Sequence, residues 1–317
     1  MDQLNSSVVT SNISSPGYPP LTSWFSDLIA SVVLSFCFLL GVPGNIAVIT
    51  LRPNWEHLSD LSQILMLNLA VSDLLCLLTL PLWIYTLLYS WTFGLVTCKL
   101  LAYLVYCSLY GSLLTVTVLS VQRYLQVVQL QKWFDRKGKK RMLVLLWLIA
   151  MILSIPSLVV RQLTPDQHWT TCQPRFSSPA QRMAVLLSES LPGFVSITVV
   201  IFSYISLQRK VNQAAFFNNP KTTRLVTSII VTFFVLWMPY HITNMLGVAA
   251  ISLHNDILLK FCMDSWSIVG ALVFVNSFLN PLLYAFSSRN MFTVCQKRNM
   301  ATVVNAEARM SQRDVCG

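Results

Sequence analysis

Seven long, largely apolar stretches of this chain run without a single Asp, Glu, Lys or Arg: 28–51, 74–98, 100–122, 142–160, 190–208, 225–255 and 265–288. A helix needs about 20 largely apolar residues to cross roughly 30 Å of hydrocarbon, and each interval can hold one. Backbone amides in lipid must bond within their own segment, which apolar runs of this length do as helices. Barrel strands would show short alternating segments instead. The spacing predicts an all-α membrane protein, a bundle of seven transmembrane helices over 24–287. Charged residues make up 11% of the 317, against roughly 25% in an ordinary soluble domain. The loops are too short to house a separate soluble domain, and with it an enzyme.

The positions of the basic residues predict the orientation. With the N-terminus outside, sixteen Lys and Arg fall on the inner side, from Arg52 through the 132–141 and 209–224 groups to Arg313, and Arg123 joins them at the inner end of the third span. The outer side and outer helix ends carry only Lys99, Arg161, Arg175, Arg182 and Lys260. By the positive-inside rule the chain is N-out and C-in. The net charge of +10 is accounted for by orientation and by contact with anionic membrane lipid, not by nucleic-acid binding.

Residues 1–23 have no basic start and no apolar core, so no cleavable signal peptide is expected and the first span serves as the membrane signal. The Asn5-Ser6-Ser7 and Asn12-Ile13-Ser14 sequons make Asn5 and Asn12 glycosylation candidates if this tail is lumenal. After the last span, 288–298 reads as a short amphipathic interfacial helix in which Cys295 is a palmitoylation candidate. The remainder, 299–317, is a cytoplasmic tail with few hydroxyl residues, Thr302 and Ser311, so arrestin recruitment through it is expected to be limited.

Of eight cysteines, only Cys98 and Cys172 both fall on the oxidising side outside the apolar spans. A bridge between them would pin the 161–180 loop over the mouth of the bundle; the alternative is two reduced loop cysteines. Polar groups inside spans are costly and are functional candidates. Asp73 lies deep in span two, with Asn45, Ser112, Asn276 and Asn280 at similar depth in spans one, three and seven. Such a cluster suits an allosteric Na+, or serves only as interhelical hydrogen-bond glue. No other cofactor or metal is expected. Pro239 and Pro281 remove backbone bonds in spans six and seven and predict kinks beside Trp237 and Tyr284.

Gly44-Asn45, Leu69-Ala70 with Asp73, Cys98 to Cys172, Arg123-Tyr124, Trp147, Trp237-Met238-Pro239-Tyr240 and Asn280-Pro281-Leu282-Leu283-Tyr284 occur in order along the spans. By that ordered set the chain resembles the rhodopsin-like G-protein-coupled receptors over about 24–298. The resemblance implies a plasma-membrane receptor in which Trp237 senses ligand, Tyr204 and Tyr284 swing inward on activation, and Arg123 meets a heterotrimeric G protein, with arrestin as a further partner. Two positions depart from the family. Gln122 stands where an acidic residue usually holds the arginine, and a carboxylate there would form a charge-assisted bond worth about 1.5–3 kcal/mol. Raised basal signalling is the expectation. Ser196 replaces the usual proline of span five while Pro192 lies one turn outward, which leaves the aim of Glu189 open.

The residues expected to line the outer mouth are Trp83, Tyr103, Tyr106, Tyr110 and Trp266, the polar His241 and Asn244, and the charged Arg161, Arg175, Glu189 and Asp264. No Asp lies in outer span three, where amine receptors of the family keep one. Two guanidiniums, Arg161 and Arg175, over an aromatic cleft suit an amphipathic carboxylate, since Arg forks a carboxylate and the cleft takes the hydrocarbon; the alternative is that both face water. The 237–244 run, Ser90-Trp91-Thr92-Phe93-Gly94, Ser154-Ile155-Pro156 and Cys172-Gln173-Pro174-Arg175 are similar to the leukotriene B4 receptors of the chemoattractant branch. That similarity implies Tyr110, Arg161, Arg175, Glu189 and Asn244 as ligand contacts, with leukotriene B4 as the ligand and an inhibitory-type G protein. Ala102 and Trp266 depart from it, standing where that group carries a histidine and tends to carry an arginine. A small-peptide chemoattractant receptor is the alternative, with Asp264 and Glu189 taking basic groups. A transporter would want inverted repeats or several buried charges. An enzyme would want a His-Glu pair, a phosphate loop or a nucleophile elbow, and the sequence has none.

Overall fold

The computed structural model describes residues 21–52, 59–127, 136–166, 169–213 and 220–283. Ten helices and one hairpin follow in order: α1 Leu21–Leu51, α2 Asp60–Leu77, α3 Leu80–Leu88, α4 Gly94–Val127, α5 Arg136–Leu153, α6 Ile155–Val160, β1 Arg161–Asp166, β2 Trp169–Pro174, α7 Pro179–Gln213, α8 Pro220–Ser252 and α9 Asp256–Asp264, then α10, Trp266–Leu283. They supply seven helical spans long and apolar enough to cross a membrane. The sequence-predicted count of seven and the helical bundle are both found. Asn5, Asn12, Tyr284, Cys295 and the interfacial helix at 288–298 lie outside the described residues.

Spans two and four are each two helices in series. Pro81 follows the α2–α3 joint and Pro156 the α5–α6 joint, each within the first two positions of the new helix, where a missing N–H costs nothing. Hydroxyls cover carbonyls at these joints. Thr79 Oγ1 donates to the Cys76 carbonyl at 2.6 Å and Ser154 Oγ to that of Ala150 at 2.7 Å. Pro43, Pro192 and Pro239 sit inside α1, α7 and α8. The start of α2 is capped by Ser59, whose hydroxyl accepts from the Ser62 N–H at 3.3 Å, with Asp60 in the first turn.

Burial runs opposite to that of a soluble protein. Phe36, Leu39, Val144, Ile152, Phe202 and Val235 are all exposed on the flanks of the spans, while Asn45, Asp73, Ser112, Asn276 and Asn280 are buried. That inversion fits a bundle whose solvent is hydrocarbon. Helix α4 packs against α2, α5, α6, α7 and α8 and forms the axis of the bundle.

One element goes beyond an all-α reading. The segment between spans four and five is an antiparallel hairpin, with Arg161 paired to Pro174 and Leu163 to Cys172. The predicted bridge is present: Cys98 at the start of α4 is bonded to Cys172 in β2. Trp91 packs on that disulfide, its backbone N–H donating to the Thr170 carbonyl at 2.7 Å and its Nε1 to that of Gly94 at 2.8 Å. Gly94 adopts φ +77°, a conformation only glycine takes without strain. The hairpin is thereby fixed over one end of the bundle.

Candidate functional site

Beneath the hairpin lies a cavity of about 560 Å³, within the range of small-ligand pockets. Trp83, Tyr106, Tyr110, Trp237, Trp266, Arg161, Glu189, Asn244 and Asp264, all expected there, line it. Arg161 ends span four and begins β1; its Nη1 donates to the Cys172 carbonyl at 3.0 Å, and its guanidinium carbon stands 5.4 Å from the Trp83 ring centre. The disulfide therefore positions the carbonyl that aims the arginine.

Three expected lining residues lie elsewhere. Arg175 falls one residue beyond the last strand pair, its backbone N–H donating to the Val160 carbonyl at 2.9 Å, and its side chain is exposed and outside the cavity wall. Tyr103 is half-buried on the flank of α4 and donates to the Met151 carbonyl at 3.2 Å. His241 is fully buried behind the wall, stacked on Trp237 at 5.6 Å and tilted against Phe194 at 5.6 Å, with both ring nitrogens unpartnered among the described residues. It faces Gly193, where an added Cβ would overlap the imidazole. The imidazole thus fills the seam between spans five and six and does not reach the cavity.

The second guanidinium of the cavity is Arg182. It lies in the first turn of α7, its guanidinium carbon 5.7 Å from the Phe176 ring centre, with Nε buried and unpartnered among the described residues. A sequence signal for it existed: Arg182, Val185, Leu186 and Glu189 recur at the spacing of one helix face, and all four line the cavity. Neither Arg161 nor Arg182 is in an ion pair among the described residues. Cys262, in α9 outside the spans, also lines the cavity; burial pushes its thiol pKa up, with Arg182 opposing.

Glu189 points inward and is buried. Its Oε2 accepts from the Tyr240 hydroxyl at 2.6 Å, and that hydroxyl lies 3.3 Å from the Tyr106 hydroxyl. Asn244, also buried, makes no well-formed hydrogen bond among the described residues through either side-chain atom. Trp237 forms the floor, stacked on Phe233 and edge-on to Tyr240. The arrangement offers positive charge and an unused amide to a ligand within a mostly apolar wall. It presents no nucleophile with an adjacent base.

A second polar cluster lies deeper. Asp73 Oδ1 accepts from Ser112 Oγ at 3.0 Å and Oδ2 from Asn280 Nδ2 at 2.6 Å. The oxygens of Ser72, Asn276 and Asn280 are buried without partners among the described residues. Asn45 does not bond Asp73; its amide donates to the carbonyls of Gly41 and Ser277, both at 3.0 Å, and ties span one to span seven.

At the end remote from the hairpin, Gln122 does not hold Arg123. Gln122 Nε2 donates to Ser59 Oγ at 2.7 Å and Ser62 Oγ at 2.8 Å, while Arg123 Nη1 donates to Gln126 Oε1 at 3.2 Å. Arg123 Nε and Nη2 are buried without partners among the described residues. Gln126 is itself fixed by a 2.7 Å bond to Ser59. Ser59 and Gln126 carry no sequence signal of their own, because the network joins the start of α2 to the last turns of α4, far apart in the chain. Tyr204 is 44% exposed on the flank of α7.

The family model for the 7 transmembrane receptor (rhodopsin family) matches residues 44–284. Leukotriene B4 receptor 1 of Homo sapiens is 32% identical over 282 residues, covering 86% of this chain and 80% of that protein. The C3a anaphylatoxin chemotactic receptor of Danio rerio is 29% identical over 83% of this chain and 73% of its own length. C-C chemokine receptor type 8 of Macaca mulatta is 27% identical, with 87% and 80% covered.

Proposed function

Since this chain belongs to the rhodopsin family of seven-transmembrane receptors, we propose that it is a receptor for an anionic lipid chemoattractant, with leukotriene B4 the first candidate, coupled to an inhibitory-type G protein. The observation that carries this reading is the pair Arg161 and Arg182, neither in an ion pair among the described residues, in the wall of one largely apolar cavity. An amphipathic carboxylate supplies the missing anion and fills the hydrocarbon-lined remainder. The 32% identity to a leukotriene B4 receptor supports the choice of lipid. In this reading the hairpin end faces outside, the basic inner loops face the G protein, and the chain is a multi-pass plasma-membrane protein. Arg123 is the inner contact for the G protein, while Trp237 links the cavity floor to Pro239 two residues on.

The Asp73 cluster is proposed to hold Na+. A buried carboxylate among unpartnered amide and hydroxyl oxygens is the donor set a hard cation takes. Asp73, Ser112, Asn276 and Asn280 would supply those oxygens, and the ion would add positive charge beside Asp73.

A peptide ligand is the second reading, favoured by Glu189 and Asp264 in the same cavity and by the anaphylatoxin and chemokine receptors among the relatives. Dose-response of G-protein activation to leukotriene B4, a C3a peptide and chemokines, in cells expressing the full chain, tests the two. A response to leukotriene B4 that pertussis toxin abolishes is expected. A response confined to peptides would replace the lipid reading.

A further inference from the structure

The cavity crosses the bundle, and its two ends differ chemically. Toward spans four, five and six it meets Arg161, Arg182, Glu189 and Asn244. Toward spans one, two and seven it meets Ala30, Leu34, Leu87, Gly270, Ala271 and Phe274. The hydroxyls in this second arm are already satisfied. Thr86 donates to the Trp83 carbonyl at 2.9 Å and Ser267 to Asp27 at 3.2 Å. Ser267, Gly270, Ala271 and Phe274 share one face of α10, and all four line the space.

Gly270 is the informative residue. A glycine inside a helix is destabilising relative to alanine, so its presence calls for a reason. Gly41 and Gly44 have one, because a Cβ there would crowd Phe278 and Pro281 where spans one and seven pack. At Gly270 an added Cβ meets nothing within 4 Å, and no positive φ requires glycine. Helix packing does not use this position. What the missing side chain leaves is volume in the cavity.

We propose that this arm receives the hydrocarbon end of the ligand and that Gly270 sets the chain length the receptor accepts. The inference rests on the anionic-lipid reading. The carboxylate stays at the arginine end, since the arm holds no positively charged side chain, and the chain extends beneath the hairpin toward span one. Each methylene that enters the dry arm strengthens binding by about fourfold, so affinity rises with chain length until the arm is full.

The test is competition binding to the full-length receptor in cell membranes, using leukotriene B4 and a series of straight-chain fatty acids from 10 to 20 carbons, on the parent, Gly270→Leu and Gly270→Ala. Surface expression is measured alongside. Affinity should rise along the series for the parent. Gly270→Leu should flatten the rise and weaken leukotriene B4 by more than about tenfold, leaving the 10-carbon acid within about twofold. Gly270→Ala, whose methyl finds open space, should fall between the two and gives the answer if the larger side chain keeps the protein from the surface. Identical chain-length profiles for the parent and both variants would overturn the assignment of the arm while leaving the lipid reading in place. Failure of every acid and of leukotriene B4 to bind the parent, with a C3a or chemokine ligand binding it, would overturn both.

Discussion

Arginines occur at both ends of the bundle without a carboxylate partner among the described residues, but in different settings. At the hairpin end, Arg161 and Arg182 stand in the wall of a cavity, one stacked on Trp83 and the other beside Phe176. At the remote end, Arg123 is packed among helices, with one hydrogen bond to Gln126 and two nitrogens unpartnered. The first pair can be satisfied by something entering from outside the chain. The Arg123 guanidinium is restrained by one neutral amide, that of Gln126, itself anchored to Ser59, an arrangement weaker than an ion pair and therefore easier to release. An unpaired charge beside open volume points to a ligand, whereas one in a packed seam points to a change of conformation.

The largest effect is expected from the hairpin end. Arg161→Ala should weaken the response to leukotriene B4 by between about 10-fold and 150-fold, the equivalent of the roughly 1.5–3 kcal/mol carried by a hydrogen bond to a charged group. Arg182→Ala should cost about tenfold, and Arg175→Ala less than about twofold, in the same dose-response assay with surface expression matched. Equal losses for Arg175 and Arg182 would show that the exposed arginine folds over the cavity when ligand is present, and the contrast between them would disappear.

That contrast also marks what the sequence makes legible. The number of spans could be counted from charge-free intervals, because ionised groups are excluded from lipid. Their bounds could not. Span two runs from Asp60 to Leu88 and span five from Pro179 to Leu207, so both begin well before the charge-free intervals at 74–98 and 190–208: Asp73 lies deep in span two, as its motif places it, and Arg182 and Glu189 lie inside span five. A buried charge held by protein, as Asp73 is by Ser112 and Asn280, breaks a rule that applies to charges facing lipid. Arg175 lies three residues after Cys172 in the chain, which makes it the expected cavity arginine. Arg175 lies just past the hairpin and its side chain is exposed, while the helix face shared with Glu189 turns Arg182 in. His241, expected in the mouth, is shown behind the wall only by its packing on Gly193.

At the remote end the comparison is sharpened by Gln126→Ala. It removes the one hydrogen bond that Arg123 makes among the described residues, and should raise ligand-independent G-protein activation by about three- to tenfold, the equivalent of the roughly 0.5–1.5 kcal/mol net contribution of an ordinary hydrogen bond. Gln122→Asp should act in the opposite sense. A carboxylate at 122 can accept from the Ser59 and Ser62 hydroxyls, to which the Gln122 amide donates, and adds an ionic partner for Arg123, so basal activity should drop below the parent's. An unchanged basal level in both variants would mean that the amide network does not restrain Arg123.

The smallest effect is expected at the neighbouring ion pair. Lys139 Nζ lies 3.3 Å from Asp60 Oδ2, joining the start of α5 to that of α2, and the Asp60 side chain is 82% exposed. Water and salt screen such a pair, so it contributes less than about 1 kcal/mol. Lys139→Ala should change basal and stimulated signalling by less than about twofold, and thermal stability of the purified receptor should hardly move. The pair stands one residue from Ser59, the oxygen on which Gln122 and Gln126 both converge. A rise in basal activity for Lys139→Ala as large as that for Gln126→Ala would therefore locate the restraint in the position of the whole α2 N-terminus, with the two glutamines following it.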